Sequence, residues 1–583
     1  MMQVVNLYCN IWVRFFLVHS FTEIFVNLNM HCIKRRFKMN CIKQLVYTAT
    51  VFTLPLISFA QSKSEESPKA NWQNLDLKAD GVFGISTDRA YNELLRGKSS
   101  KPVVVAVIDG GIDENHEDLK QIMWINAKEI PGNSIDDDKN GYIDDVHGWN
   151  FIGSANGNVH HDNMEVVRLI VKLQPKYAAA LNSTPFNEKE RKEFLLYQKL
   201  ITDYMAKLQS AQMGFQNTTL LLKYLDEIIV KMKNKNPTAD DFNSYKAANN
   251  IESEVLKFIK PELKKRTYKD FREELDEGLE YYDTQVKYHL NLEFDSRKDS
   301  VGDNYTNSNE KFYGNNDITG PDAEHGTHVA GIIGAVRNNN LGIKGIADNV
   351  RIMAIRTVPN GDERDKDVAN SIRYAVDNGA KIINMSFGKS YSWDKKVVDE
   401  AVKYAVSKDV LLVHAAGNDG KNTEKDDNVP NRLFVDSTGV TMGTAEGWIE
   451  VGATGWENDE DLVASFSNFG GKSVDVFAPG VKINSTLPDS KYKEIDGTSM
   501  ASPVVAGLAA LIRSYYPHFT AVQVKDIIMN SVTKVEQKVK VKEEGASNKV
   551  LLSQISVSGG VVNAYNAILL AEKTNSTVSV KSK

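Results

Sequence analysis

Cysteine is nearly missing from this chain of 583 residues: there are three, Cys9, Cys32 and Cys41, and none beyond position 41. A mature protein that begins after them cannot rest its stability on disulfides. Strong charge of either sign is missing too. The net charge is −6, with no basic stripe and no RNA-binding signature, which excludes a nucleic-acid binder. No internal repeat recurs along the chain, and there is no Gly-x-Ser-x-Gly elbow. What remains is 42% apolar residues in a chain long enough for two or more domains, which suffices for a sizeable core.

The cysteine-bearing end has its own logic. Lys34, Arg35, Arg36, Lys38 and Lys43 precede an apolar run over 45–59, which closes as Ser58-Phe59-Ala60-Gln61. That order, basic then apolar then small-x-small, predicts a secretory signal peptide within 1–60. Met30 or Met39 is the expected start, and residues 1–29 read as an over-extended one. An N-terminal membrane anchor is the alternative. The expected location is after export, in a periplasm or outside the cell. Residues 61–100 read as a polar linker, then a segment that packs around 72–76 and 84–95. They are too few for a folded pro-domain.

Three motifs carry chemistry. Residues 496–503 read Asp-Gly-Thr-Ser-Met-Ala-Ser-Pro and lead into a small-residue helix. Ser499 then sits in the first helical turn, beside unpaired N–H groups and the positive end of the dipole. Pro503 is tolerated because the first turn needs no N–H from it. Upstream, Val103-Val104-Val105-Ala106-Val107-Ile108 is an unbroken apolar run that predicts a buried parallel strand, with Asp109 at its C-terminal end. Between them, His325-Gly326-Thr327-His328 opens a helix rich in glycine and alanine. Ser499, His325 and Asp109 thus supply a nucleophile, a base and a carboxylate that orients the base. His328, one turn on, reads as structural.

In this order of Asp, His and Ser, the chain resembles the subtilisin-like serine peptidases, the subtilases. Two further motifs match: Asn418 in His414-Ala415-Ala416-Gly417-Asn418-Asp419-Gly420, and Ile383-Asn384-Met385-Ser386-Phe387-Gly388. The match covers about 100–163 and 300–572. It implies a mostly parallel α/β sheet with helices on both faces, and a serine endopeptidase acting on protein or peptide substrates, expected to be a monomer. It implies Asn418 as the oxyanion donor and Ser386, Phe387 and Gly388 as substrate-binding residues. One departure stands out. The family usually has Ser or Thr after the catalytic Asp, and this chain has Gly110, so that hydroxyl's hydrogen bond is missing or replaced.

The second chemical signal is Asp136-Asp137-Asp138-Lys139-Asn140-Gly141-Tyr142-Ile143-Asp144-Asp145. Oxygens at alternate positions, glycine at the sixth and an aliphatic at the eighth match the start of a calcium loop. Asp136, Asp138 and Asn140 would give side-chain oxygens, Tyr142 its carbonyl, and Asp144 a direct or water-mediated contact. His147 occupies the twelfth position where a glutamate is usual, leaving Asp145 to supply a carboxylate. A structural Ca2+ is therefore expected, and the family resemblance favours it.

The gap from Asp109 to His325 is the least ordinary feature. Residues 165–300 predict an inserted helical region between the two parts of the catalytic domain, 101–164 and 301–572. Phe194, Tyr197, Leu200, Ile201, Tyr204 and Leu208 form one apolar stripe. Leu221, Leu222, Leu225, Ile228 and Ile229 form a second, and a third helix is expected over 268–292. Three readings stay open: a rigid decoration, a lid over the cleft, or a platform for an inhibitor or partner. Elsewhere strands are expected at 352–358, 382–385, 410–414 and 449–453, and helices at 367–377, 395–406, 520–532 and 563–571, with a polar tail over 573–583.

Overall fold

The computed structural model describes residues 68–436, 440–543 and 546–581. The leader read at 1–60, with its three cysteines, lies outside them. Strand β1 (Val103–Asp109) is central to a nine-stranded sheet. Val105 and Val107 enter one apolar cluster, while Ala106 and Ile108 enter another on the opposite face. Two covered faces are what an unbroken apolar strand requires. From one edge inward the order is β2 (Gly148–Asn150), β3 (Val350–Arg356) and β1. It continues with β4 (Ile382–Met385), β5 (Leu411–Ala415), β6 (Trp448–Thr454) and β7 (Val476–Pro479), all parallel. Gly560–Val561 extends the sheet in parallel, and Thr533–Lys534 closes the far edge antiparallel.

The insertion forms α1 (Glu165–Tyr177), α2 (Glu188–Met232), α3 (Asn250–Glu262) and α4 (Tyr268–Thr284), the last running on as a π turn over Gln285–His289. The stripes at 194–208 and 221–229 belong to one helix of 45 residues rather than two. Only Gly214 weakens the stretch between them, at about 1 kcal/mol of helix propensity. It has a packing reason: a Cβ there would sit 2.3 Å from the Tyr282 ring of α4. The insertion holds two larger cores and a small cluster of Tyr177, Ala180 and Phe194. A distal one gathers Leu225, Ile228, Phe242, Leu256, Ile259 and Phe271. A proximal one joins Val166, Val167, Ile170, Leu200, Tyr204 and Leu290, and packs on Tyr391 and Trp393.

Buried charges root the insertion. Lys389, immediately after Gly388, reaches Glu165 of α1 at 3.3 Å, Asp365 at 2.8 Å and the Glu363 carbonyl at 2.7 Å. Arg168 pairs with the same Glu165 and donates to the Glu363 carbonyl, and Arg364 pairs with Asp162. At the insertion's other end Arg297 grips Asp367 at 2.7 and 2.8 Å. Removing one partner of such a set leaves a buried charge unmatched. The insertion is therefore grown into the sheet domain, and cutting out all of 165–300 would take Arg297 from Asp367 and one of its two carboxylates from Lys389.

Helices α5 (Glu324–Gly334) and α8 (Thr498–Tyr515) cover one face of the sheet, α6 (Asp365–Asp377) and α7 (Lys395–Ser407) the other. The small residues of α8 allow it to sink to the centre, where a Cβ on Gly507 would lie 2.7 Å from Ile346. Trp72, Val82, Ile85 and Leu95 pack into the α8 side of the core, so the packing segment ahead of β1 is integral to it. Strand β3 starts and ends two residues before the expected 352–358, because the N–H groups of Thr357 and Val358 already turn to the Asp109 carbonyl. The last helix, Ala564–Lys581, takes in most of the stretch read as a polar tail.

Candidate active site

The C-terminal ends of neighbouring parallel strands converge, as open α/β sheets arrange their sites. Asp109 ends β1, Ser386 follows β4, and Gly417-Asn418 follows β5. Helix α5 comes in against the end of β1. It approaches closely because position 326 is glycine: a Cβ there would be 2.2 Å from the Gly111 carbonyl oxygen and 3.1 Å from the Asp109 Cβ. That approach sets His325 Nδ1 2.7 Å from Asp109 Oδ1. Burial pulls the His325 pKa down, but the charge and hydrogen bond of Asp109 outweigh it and leave the pKa above the usual 6.5. Oδ1 of Asp109 also accepts from the Gly110 N–H at 2.8 Å. Its Oδ2 is buried without a partner among the described residues, which is the oxygen a hydroxyl at position 110 would serve.

Ser499 lies in the first turn of α8. Its hydroxyl donates to the Ser386 carbonyl at 3.1 Å and not to His325, and Ser386 Oγ donates back to the Ser499 carbonyl at 3.0 Å. Among the described residues Asn418 is held through its oxygen only. Its Oδ1 accepts from the Thr498 N–H at 2.9 Å and the Thr498 hydroxyl at 2.8 Å. A backbone N–H can only donate, so the amide orientation is fixed and Nδ2 is the face presented to the cleft. The Ser499 N–H lies beside it in the first turn of α8, where the helix offers no acceptor of its own.

A model of the subtilase family matches residues 100–549. The chain belongs to the subtilase family. A thermophilic serine proteinase from Bacillus sp. (strain AK1) is 44% identical over 191 residues, 33% of this chain and 42% of that protein. Subtilisin E from Bacillus subtilis (strain 168) is 37% identical over 214 residues, 36% of this chain and 51% of the relative. Subtilisin from Bacillus pumilus is 38% identical over 214 residues, 36% of this chain and 70% of the relative. The chain spans about half the length of most curated relatives it matches.

Two cavities flank Ser386 and Phe387, which line both. One of about 350 Å³ adjoins Asp109, His160 and His325. The other, of about 890 Å³, adjoins Ser499, Asn418 and Gly388. Gly388 also has a packing reason to be glycine. The space of its missing Cβ is taken by the Asn428 side chain, 2.5 Å away, whose amide donates to the Ala416 carbonyl. His328 turns to the Lys493 carbonyl at 3.0 Å, and burial presses its pKa to about 4, which suits the structural role read for it.

The acidic loop gathers only part of the expected set. Asp136 and Asp138 converge with Glu129, which spacing alone did not suggest. Asp144 turns away, its two oxygens accepting the N–H groups of Gly132, Asn133 and Ser134. Asp145 is buried against Asn126, Asn140 and Tyr374. Burial, eased by those hydrogen bonds, lifts its pKa to about 6. Asn140 Oδ1 accepts from the Tyr142 N–H, and the Tyr142 ring packs on Trp149, Phe151 and Tyr374. A donor set made only of oxygens fits a hard cation such as Ca2+. Thr498 and Asn384 were also missed. Asn384 links Ser386 Oγ and Ser502 Oγ at 3.0 and 2.9 Å, and only the folded chain brings these together.

Proposed function

We propose that this subtilase is an exported serine endopeptidase that hydrolyses peptide bonds through Asp109, His325 and Ser499. The observation that carries the reading is the 2.7 Å bond from Asp109 to His325 beside a serine in the first turn of α8. For attack, the Ser499 hydroxyl leaves the Ser386 carbonyl by a χ1 rotation and donates to His325 Nε2. The imidazole takes the proton as Oγ bonds to the substrate carbonyl carbon, and Asp109 stabilises the imidazolium. The carbonyl oxygen, now an anion, is received by the Ser499 N–H and Asn418 Nδ2. His325 then returns the proton to the leaving amine. Ser386, Phe387 and Gly388 bind the peptide.

A structural Ca2+ on Asp136 and Asp138 is part of this reading, with Glu129 added. A hard cation there would neutralise clustered carboxylates and stiffen the loop. Asp144 and Asp145, engaged elsewhere, drop to outer roles. Export follows from the leader pattern in the sequence. The direct test is a fluorophosphonate probe on the full chain: a single adduct mapping to Ser499 is expected, and no labelling of Ser499 would sink the assignment.

A further inference from the structure

Helix α2 belongs to the insertion, yet its face from Leu196 to Lys207 lines the 890 Å³ cavity that adjoins Ser499 and Asn418. On the peptidase reading, the residue whose carbonyl sits at Asn418 Nδ2 and the Ser499 N–H sends its side chain into this cavity, which Asn418 and Ser499 both line. Three features fix the helix there. Asp203 accepts a hydrogen bond from the Tyr391 hydroxyl, three residues beyond Gly388. Leu200 and Tyr204 bury in the proximal core that packs on Tyr391 and Trp393. Helix α1, beneath α2, is pinned through Glu165 to Lys389.

The charges on this wall are uneven. The Asp203 carboxylate is engaged with Tyr391, whereas Lys199 and Lys207 are exposed on the cavity side and make no ion pair among the described residues. The opposite rim, from the sheet domain, is mixed, with Asp419, Asp426 and Asp427 set beside Lys421 and Lys425. Resting on the peptidase reading above, we infer that α2 is a specificity wall of the substrate pocket. Lys199 and Lys207 favour an acidic side chain over a basic one on the acyl side of the scissile bond. In this chain the wall comes from the helical insertion. The insertion is then neither a loose decoration nor a detachable lid, but one side of the pocket itself.

The test uses the full chain and three peptides that differ only at the residue on the acyl side of the cleaved bond: Glu, Ala or Lys. In the variant K199E/K207E the Glu-to-Lys ratio of kcat/KM should fall by about tenfold, as expected for two reversed charges within reach of a third. At about 1 M salt the shift should shrink sharply. K199A/K207A should give an intermediate fall, and Lys223→Glu, farther along α2, should leave the ratio where it was. If the wild type cleaves the peptides and the double reversal leaves the ratio unmoved, the wall is refuted while the peptidase stands. If the wild type cleaves none of them, both fall.

Discussion

Replacing Lys389 by methionine tests the buried charge set that ties the insertion to the segment after β4. The Lys389 side chain is 1% exposed and faces Glu165, Asp365 and the Glu363 carbonyl within 3.3 Å. Burial alone would lower its pKa, and the neighbouring carboxylates instead hold it above the ordinary lysine value. Methionine keeps the volume and removes the charge. Arg168 still serves Glu165, and Ser392 and the Asp394 N–H still serve Asp365, but one negative charge is left unmatched. Breaking a buried pair on one side costs about 3–5 kcal/mol. With an unfolding entropy of ~2.1 cal/mol/K per residue, a unit of roughly 500 residues loses about 1 °C per kcal/mol, so Tm should drop by about 3–5 °C. The loss should also depend on pH. Asp365 has a lowered pKa in the native protein, so its stabilising effect is present at neutral pH and fades as pH falls through that value. Without Lys389 its native pKa rises, and protonation relieves the strain in acid. The penalty should therefore be larger near pH 8 than near pH 5, and K389M/D365N should recover part of it. Thermal melts at both pH values read this directly. A drop under about 1 °C, or no recovery in the double variant, would show that these charges are not desolvated as described.

The remaining expectations concern the site. His325 must be neutral to accept a proton and its pKa is raised, so kcat/KM should fall on the acid side through an apparent pKa above 6.5, read from a pH–rate profile. Gly326→Ala forces a Cβ against the Gly111 carbonyl; it should cost about 1–3 kcal/mol in a denaturation curve and about 10²-fold in turnover as His325 is displaced. Chelation should lower Tm, since an ion at 100 times its Kd adds about 2.7 kcal/mol. Asp138→Ala should abolish that sensitivity, and equal melts with and without chelator would remove calcium from the account.

The parts of the site that sequence made legible are those whose residues sit at element ends. Asp109 closes an apolar run, and His325 and Ser499 open small-residue helices, so local pattern and chemistry coincide there. What pattern could not give depends on contacts far apart in the chain. Thr498 orients Asn418 across 80 residues, Asn384 reaches Ser502, and Glu129 joins Asp136 and Asp138 only once the loop has folded. Asp144 fits the calcium spacing, and its two oxygens accept three backbone N–H groups that the spacing does not reveal. In the insertion the apolar stripes were readable and their continuity was not, since the distance from 208 to 221 holds polar residues without a true breaker. Which wall α2 builds is decided by Tyr391 and Lys389, on the far side of β4, and no periodicity records that.

The most direct measurement is hydrolysis of casein by the purified full chain beside its Ser499→Ala variant, with circular dichroism on both. Cleavage by the wild type, none above background by the variant, and superimposable spectra are expected. Equal casein cleavage by a folded Ser499→Ala protein would contradict the role given to Ser499.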